Sequence, residues 1–532
     1  MKQLTDTIPA VLANAASQYG DALAIDDVSG NWSYSQLHVA AVGVSKALLA
    51  NGIHHGDRIA IWSPNLPQWI IACLGLQSIG AVLVPLSPRF QGSEAGDILC
   101  RSGVKALFYY PQLEQGAVTD LLAEQDLPQL TLRIAMQVEG SSTIDATSWE
   151  QFLLTGAGYS DEQLRQAQQA VNADDIADIL FTSGTTGKPK GVICSQQQNI
   201  RVFSEWVNTV GLRSDDIYLG INPFFHSFGY KAGWLASILA GSTIVPMRSF
   251  DKDELLSVIQ EKRISMWPGA PSIYAMILAH PARKNYDLSS LRLGVTGAAS
   301  VPVTLVEAMR DDLGFEVVVT AYGLTESCGV VSICRQDDPP EIVATTSGKA
   351  IAGVEVKCVD PATEQEVDRG LEGEIWVRGY NVMKGYLDMP AASQQAITAE
   401  GWLRTGDIGV MDSNDYLRIT DRLKDMYIMN GENVYPAEVE HTIFALEQVA
   451  QVAVVGISKS PQGEVGIAFV VARSDIGEQS VISHCQQNLA SYKVPFKVIF
   501  VAALPLNAAG KVLKNTLREQ AVIHQQGENS GC

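Results

Sequence analysis

The sequence predicts an α/β protein: a large N-terminal domain of parallel-sheet α/β subdomains plus a small β-barrel, followed by a smaller α+β C-terminal domain. Three observations predict this fold. Apolar strand patterns alternate with helical patterns from Trp32 to Thr320, apolar and polar residues alternate singly from Gly353, and a second helix–strand succession starts after Asp425. Because 532 residues exceed what one hydrophobic core accommodates, two or more domains are expected.

The N-terminal elements follow one another in β–α–β order, which indicates parallel sheets covered by helices. A helix opens within Trp32–Leu37, where Ser33 and Ser35 are the N-cap candidates. The further predicted elements are strand Arg58–Trp62, helix Gln68–Ser78, strand Ala81–Val84, strand Ser242–Pro246, helix Asp253–Lys262, strand Leu291–Thr296, helix Thr304–Asp312 and strand Glu316–Thr320.

The pattern of apolar and polar residues changes in the last third of the chain. Glu355–Val359 and Gly373–Val377 alternate with period two, which indicates a small antiparallel barrel or sheet. The later predicted elements are helix Pro436–Leu446, strands Val449–Gly456 and Gly466–Val471, and a helix near Val481–Leu489, with a disordered tail from His524. We therefore predict an N-terminal domain over 1–421, a hinge at 422–424 and a C-terminal domain over 425–532.

Charge and composition exclude several classes of protein. With 38 Lys and Arg against 58 Asp and Glu, the net charge is −20, whereas a nucleic-acid-binding surface would carry a basic patch. The eight cysteines show neither C-x-x-C nor zinc spacing, which is typical of reduced thiols in a cytoplasmic protein. The apolar run Ile70–Leu86 contains Gly and Pro, so a buried helix and strand are expected rather than a membrane segment. A homo-oligomer is compatible with the sequence.

The most informative stretch is the loop Phe181–Gly191, which follows the apolar run Ile176–Leu180. Three glycines let its backbone N–H groups converge, and four hydroxyls and two lysines add donors and positive charge. A Walker A loop needs four residues between its first Gly and the Gly-Lys pair, but here two threonines separate Gly184 from Gly187. The loop therefore predicts a polyphosphate site of another kind; the alternative is a solvated turn between strands.

A second motif, Ala321–Glu326, follows a predicted strand at the end where parallel sheets place ligands. Tyr322 offers a flat face to a purine, and Thr325 offers a hydroxyl to phosphate. Glu326 offers the carboxylate oxygen that Mg²⁺ prefers. The alternative is a turn with a helix-capping Thr-Glu pair.

Three weaker candidates complete the pattern. The small residues Gly297–Ala299 would let a ligand touch the backbone, and the Asp407 carboxylate would accept both hydroxyls of a ribose. Lys511, on a Gly-containing loop, could be delivered by domain motion to a site where negative charge develops. A tight turn, a surface Asp and a surface Lys are the respective alternatives.

In this order and over nearly the whole chain, the motifs resemble those of the adenylate-forming superfamily, which includes acyl-CoA synthetases, aryl-CoA ligases, luciferases and peptide-synthetase adenylation domains. The resemblance implies an AMP-forming acid–thiol ligase that uses ATP, Mg²⁺ and coenzyme A. The ATP site that it implies comprises Thr182, Ser183, Gly184, Thr185, Thr186, Gly187, Lys188, Lys190, Gly297, Ala298, Ala299, Ala321, Tyr322, Gly323, Thr325, Asp407, Arg422 and Lys511.

Several individual roles are also implied by this resemblance. Glu326 matches the Mg²⁺ ligand, Lys511 the catalytic adenylation lysine, and Lys424 the pivot about which the small domain rotates. The loop Gly431, Glu432 and Asn433 matches the segment that enters the site for thioester formation. This sequence departs from the family at Asn430, where Gly is usual, which puts the geometry of that loop in question.

The candidate acyl site is the stretch Asn222–Lys231, which we call the acyl segment. The histidine that matches His226 gates the acyl carboxylate in the family, and the implied pocket comprises Phe225, His226, Phe228, Tyr230, Lys231 and Gly329. The sequences of Phe225–Gly233 and Val343–Gly348 resemble those of a bacterial subgroup that activates the propanoate side chain of a hexahydroindanedione from steroid degradation. Lys231 would then meet a ring carbonyl, or else point to solvent. A medium-chain fatty acid or an aryl acid is the alternative substrate.

Coenzyme A is the expected thiol, because the short tail after Lys511 leaves no room for a fused carrier domain; a free carrier protein stays open. A non-catalytic nucleotide sensor is the alternative from another class. The presence of Lys188, Glu326, Asp407 and Lys511 argues against it, since a degenerate copy need not keep them.

Overall fold

A computed structural model describes residues 6–136, 147–182, 189–297, 301–423, 425–429, 432–434, 436–459, 463–489, 491–506 and 512–529. The chain divides into two compact units, the first of 1–356 with 377–403 and the second of 357–376 with 404–532. The predicted hinge at 422–424 lies inside the second of these units and stays a prediction about where the chain rotates.

Strands in the described residues run in chain order from β1 to β28. They are β1 Leu23–Asp27, β2 Gly30–Ser33, β3 Arg58–Trp62, β4 Val82–Leu86, β5 Ala106–Tyr109, β6 Gln112–Leu113, β7 Gly116–Ala117, β8 Leu132–Ala135, β9 Thr147–Ser148, β10 Ile176–Thr182, β11 Lys190–Ser195, β12 Ile217–Gly220, β13 Thr243–Pro246, β14 Met266–Pro268, β15 Leu293–Gly297, β16 Val317–Tyr322, β17 Ser332–Ile333, β18 Lys349–Ala350, β19 Val354–Val359, β20 Glu372–Gly379, β21 Gly385–Tyr386, β22 Leu403–Met411, β23 Leu417–Arg422, β24 Tyr427–Met429, β25 Glu432–Val434, β26 Val449–Lys459, β27 Gly463–Ala472 and β28 Lys497–Phe500.

The α-helices alternate with these strands. They are α1 Ile8–Tyr19, α2 Tyr34–Ala50, α3 Pro67–Gln77, α4 Gly92–Ser102, α5 Val118–Leu121, α6 Trp149–Thr155, α7 Asp161–Gln169, α8 Gln196–Val210, α9 Ser227–Gly229, α10 Ala236–Ala240, α11 Lys252–Lys262, α12 Pro271–Leu278, α13 Val303–Asp311, α14 Pro340–Thr345, α15 Pro390–Ala396, α16 Pro436–Phe444, α17 Glu478–Asn488 and α18 Lys514–Asn529. Among the helices of the described residues, none combines the length and apolar content that crossing a membrane requires.

Two large sheets form the first unit. One has the strand order β18-β17-β16-β15-β14-β12-β13-β1-β2, and the other has the order β21-β11-β10-β4-β3-β5-β8-β9. The central strands of both sheets are parallel, whereas β11, β17, β18 and β21 pair antiparallel at one end. This arrangement confirms the predicted parallel-sheet α/β fold and places the C-terminal ends of β10 and β16 where ligands bind in such sheets.

The local predictions follow the observed elements closely in this unit. Ser33, one of the two candidates, caps α2: its hydroxyl accepts from the Gln36 amide while the Gln36 side chain reaches back. The apolar run at Ile70–Leu86 becomes the buried helix α3 followed by the buried strand β4. Both are covered on all sides, which explains why neither shows a polar face.

Two smaller sheets lie mainly in the second unit. A four-stranded sheet with the order β19-β20-β22-β23 is found where the period-two pattern predicts a barrel or sheet. The order β25-β24-β27-β26, with β28 beside β27, forms a five-stranded sheet that packs on α16 and α17. One expectation was wrong: the tail from His524 is not entirely irregular, because α18 continues to Asn529. The side chains of Leu517 and Ala521, buried against β26 and β27, anchor this helix.

Candidate active site

The predicted polyphosphate loop connects two antiparallel strands, β10 and β11. Thr182 pairs with Lys190 at the open end of this hairpin, and the Thr182 hydroxyl donates to the Lys190 carbonyl over 3.4 Å. The six residues between them that were predicted to bind phosphate, Ser183 to Lys188, lie outside the described residues. The Lys190 ammonium lies 4.9 Å from the centroid of the Tyr386 ring, so its charge faces an aromatic surface.

The segment after β16 folds back on itself to form a compact loop. The amide of Gly329 donates to the Leu324 carbonyl over 2.9 Å, and the amide of Val331 donates to the Tyr322 carbonyl over 2.8 Å. This closure requires Gly323, because a Cβ at that position would lie 2.2 Å from the Gly329 carbonyl oxygen. Tyr322 is half-buried at the end of its strand.

Gly297, at the end of the neighbouring strand β15, pairs with Ala321. A Cβ on Gly297 would lie 2.9 Å from the Ala321 carbonyl oxygen, so this position too admits only glycine without a shift. The structure thus brings together the predicted adenine-side residues of two strands. Ala298 and Ala299 lie outside the described residues.

Glu326 is held by a side chain that the sequence analysis missed. The Tyr386 hydroxyl donates to Glu326 Oε1 over 2.9 Å, and the Glu326 carbonyl accepts from the Met383 amide over 2.8 Å. Burial and the Glu326 charge raise the pKa of Tyr386, so the phenol keeps the proton that it donates. Tyr386 reaches this position because β21 pairs with β11, a contact between segments far apart in sequence that no local pattern indicates.

The acyl segment is fixed at its base by Asn65. The Asn65 amide donates to the carbonyls of Gly220 and Asn222 over 3.0 Å each, and its Oδ1 accepts from the Phe224 amide over 2.8 Å. His226 caps the short helix α9, with Nδ1 accepting from the Phe228 amide over 3.2 Å. His226 is exposed, and its two predicted pocket neighbours, Phe225 and Phe228, are half-buried.

The remaining predicted pocket residues are placed differently from one another. Gly329 adjoins the acyl segment, because a Cβ there would lie 3.4 Å from the Ser227 Cβ. Tyr230 and Lys231 are fully buried. The Tyr230 hydroxyl accepts a hydrogen bond from the Gln77 amide over 2.7 Å, and the Lys231 ammonium forms an ion pair with Asp178 at 3.0 Å. Lys231 therefore does not point to solvent, and its ammonium has protein partners where a substrate carbonyl was expected.

The second unit holds the predicted ribose ligands. Asp407 on β22 pairs with Arg422 on β23, so the two residues are cross-strand neighbours. Asp407 is 6% exposed, and its amide donates to the Thr405 hydroxyl over 3.1 Å. Glu432 and Asn433 form part of β25. Lys424, Gly431 and Lys511 lie outside the described residues, so the structure does not place the predicted pivot or the adenylation lysine.

Comparison with known proteins establishes the family. Residues 12–387 match the AMP-binding enzyme family, and residues 438–511 match the AMP-binding enzyme C-terminal domain. The chain belongs to the AMP-binding enzyme family. This match, together with the similarity to two relatives that are named as CoA ligases, confirms the predicted adenylate-forming acyl-CoA ligase with ATP and coenzyme A as substrates.

Two curated relatives and one solved structure are similar over nearly the whole chain. A Mycobacterium tuberculosis protein named 3-[(3aS,4S,7aS)-7a-methyl-1,5-dioxo-octahydro-1H-inden-4-yl]propanoyl:CoA ligase is 46% identical over 518 residues, which cover 96% of this chain and 98% of the relative. A Rhodococcus jostii protein of the same name is 43% identical over 526 residues, which cover 98% of this chain and 100% of the relative. ATP-bound MatB from Rhodopseudomonas palustris superposes with a TM-score of 0.84 at 28% identity, covering 96% of this chain and 98% of that one.

Proposed function

We propose that this ligase activates the propanoate side chain of a hexahydroindanedione derived from steroid rings, forming its coenzyme A thioester. The observation that carries the proposal is identity of 46% and 43%, over almost the full chain, to two proteins named for that activity. Retention of Glu326, held by Tyr386, supports a working catalytic centre and argues against a nucleotide sensor without activity.

The reaction proceeds in two steps. A carboxylate oxygen of the acid attacks the α-phosphorus of ATP, and the bond to the β,γ-diphosphate breaks, which leaves an acyl-adenylate and diphosphate. The sulfur of coenzyme A then attacks the acyl carbon, AMP leaves with the electron pair of the broken C–O bond, and the thiol proton goes to solvent. Positioning and charge neutralisation do most of the catalytic work in such transfers.

Specific side chains are proposed for each task. The hairpin loop from Thr182 to Lys190 donates to the phosphates, and Lys511 pairs with the carboxylate oxygen and the α-phosphate as negative charge develops there. Asp407 and Arg422 hold the ribose, a role that their cross-strand pairing supports. Rotation about Lys424 withdraws Lys511 and brings the loop 431–433 to the thioester step.

The residues present fit a Mg²⁺ ion shared with ATP. Among the described residues, no cluster of three His, Cys, Asp or Glu side chains could form a complete metal cage. A single carboxylate such as Glu326 fits Mg²⁺ nevertheless, because this ion is usually bound by one or two carboxylates, substrate phosphates and water. When bound, it would neutralise phosphate charge during adenylation. The chain's own part is to hold Glu326 in the loop that follows β16. A cytoplasmic location is proposed with this activity.

One assay tests the substrate and the chemistry. Diphosphate release is measured with the indanedione propanoate, a medium-chain fatty acid and an aryl acid, each with and without coenzyme A. We expect the highest kcat/KM for the indanedione propanoate and thioester only when coenzyme A is present. A higher kcat/KM for either alternative acid would overturn the substrate, and a Lys511→Ala variant with normal acyl-adenylate synthesis would overturn that lysine's role.

A further inference from the structure

Lys231 and Asp178 form a buried charge pair. The Lys231 ammonium is 3.0 Å from Asp178 Oδ1, and both side chains are 0% exposed. The ammonium also donates to Cys328 Sγ over 3.6 Å. A buried ion pair that is removed from solvent in this way is costly to form, and it calls for a specific role.

Asn199, also fully buried, closes these contacts into a ring. Its Nδ2 donates to Asp178 Oδ2 over 2.5 Å, and its Oδ1 accepts from the Cys328 thiol over 3.0 Å. Each of the four side chains therefore contacts two others of the set. We call Lys231, Asp178, Asn199 and Cys328 the buried ring.

The buried ring joins the segments that form the candidate site. Asp178 belongs to β10, the strand that leads to the phosphate hairpin, and Asn199 belongs to α8. Lys231 is the last residue of the acyl segment, and Cys328 follows Glu326 by two positions. Anchoring Cys328 thus restrains the loop that carries Glu326 and Gly329.

Cys328 needs such an anchor because its backbone is unfavourable. Its φ is 56°, in the left-handed region that non-glycine residues rarely adopt, and such a conformation persists only when the surroundings enforce it. Lys231 and Asn199 both hold its sulfur. Although burial disfavours the charged ammonium, the Asp178 carboxylate outweighs it and raises the pKa of Lys231, so the cation of the ring is retained.

We propose that Lys231 is a positioning residue: through the buried ring it holds the Cys328 loop, and with it Glu326, against the acyl segment, and it does not bind the acyl substrate. Contact with a substrate carbonyl would require Lys231 to leave a buried carboxylate, which would then have no cation. The proposal rests on the proposed function only in its use of Glu326 as a nucleotide-site residue.

The test compares Lys231→Met, Asp178→Asn and the double variant. Two acids are used: the indanedione propanoate, and its deoxo analogue in which ring CH₂ groups replace the ketones. We expect Lys231→Met to lower kcat/KM for both acids by the same factor, about 100-fold, since a shift of 1 Å at a site costs that much. The double variant, which leaves no unpaired charge, recovers at least roughly tenfold relative to Lys231→Met.

Calorimetric binding of ATP with Mg²⁺ gives a readout independent of the acid. We expect the Kd to weaken about tenfold in Lys231→Met and to recover in the double variant, because loop position changes with the ring. A loss confined to the ketone-bearing acid, with an unchanged Kd for ATP, would overturn the proposal. If the wild type fails to turn over the indanedione propanoate, the proposed substrate is wrong, whereas the ATP measurement still decides the role of Lys231.

A milder variant covers the case in which Lys231→Met does not fold. Cys328→Ala removes the contacts of the sulfur with Lys231 and Asn199 without leaving a buried charge, and Cys100→Ala, at an exposed thiol, is its matched control. We expect Cys328→Ala to weaken the Kd for ATP with Mg²⁺ by about threefold and the control to leave it unchanged. Equal Kd values for the two variants would contradict the proposed restraint.

Discussion

The close approach at Gly323 makes a sharp prediction about the Glu326 loop. In Gly323→Ala, the new Cβ would lie 2.2 Å from the Gly329 carbonyl oxygen, 2.5 Å from its carbon and 2.7 Å from the Val330 Cα. All three are backbone atoms, so no side chain can rotate away. Because ordinary contacts begin at 3.4 Å, one side of the loop must move by about 1 Å.

The size of the effect follows from this displacement. Overpacking of this kind costs about 1–3 kcal/mol of folding free energy. The catalytic effect is larger, because misplacing a site by about 1 Å can lower the rate about 100-fold. We therefore expect kcat/KM for diphosphate release to fall by roughly two orders of magnitude while the chain still folds.

Steady-state kinetics of diphosphate release and urea unfolding measure the two quantities on the same preparations. Gly158→Ala is the matched control, because a Cβ at Gly158 meets nothing within 4 Å. The control should keep both kcat/KM and stability. If Gly323→Ala kept kcat/KM within about twofold of the wild type, the steric argument for this loop would be refuted.

Three further predictions concern a hydrogen bond, an ion pair and a thiol. Tyr386→Phe removes the donor to Glu326, so kcat/KM should fall by roughly 10- to 100-fold, as a bond to a charged group contributes about 1.5–3 kcal/mol; an unchanged value would contradict that bond's role. Arg292→Met leaves the buried Asp216 carboxylate without its cation, so the free energy of unfolding measured in urea should fall by about 3–5 kcal/mol. A fall below about 1 kcal/mol would show that this ion pair contributes no more than an exposed one. Burial raises the pKa of the Cys358 thiol from 9.0 to about 11, so above pH 9 the unfolded chain loses this proton first and the free energy of unfolding falls. Cys358→Ala should make the free energy of unfolding fall less steeply with pH, and an unaltered slope would contradict this role of the thiol.

Most elements of the fold could be predicted because their signals are local. Strand β3 was predicted with its observed bounds, Arg58–Trp62, since an apolar run bounded by polar residues needs no distant information. Of the two predicted N-cap candidates, Ser33 and Ser35, the structure selects Ser33 with a capping box, which is also a local signal. The structure of the chain's end was harder to predict, because α18 depends on burying Leu517 and Ala521 against distant strands.

The residues of the candidate site likewise differ in whether a local sequence pattern reveals them. The motif around Tyr322 and Glu326 could be found from residue types that follow a strand. Tyr386 could not be found in this way, since only the pairing of β21 with β11 brings its hydroxyl to Glu326. Lys231 was noticed among aromatic residues, but its partner Asp178 is far away in sequence and gives no local signal.

By itself, the sequence determined the family and the α/β class, and it predicted the phosphate, metal-loop and ribose motifs, because all of these are encoded in short runs of residue type and spacing. Only the tertiary structure decided which side chains meet: Tyr386 on Glu326, and Lys231 on Asp178 and Cys328. The physical reason is that hydrogen bonds and ion pairs act over a few ångströms in space, whereas strand pairing joins residues that are far apart along the chain.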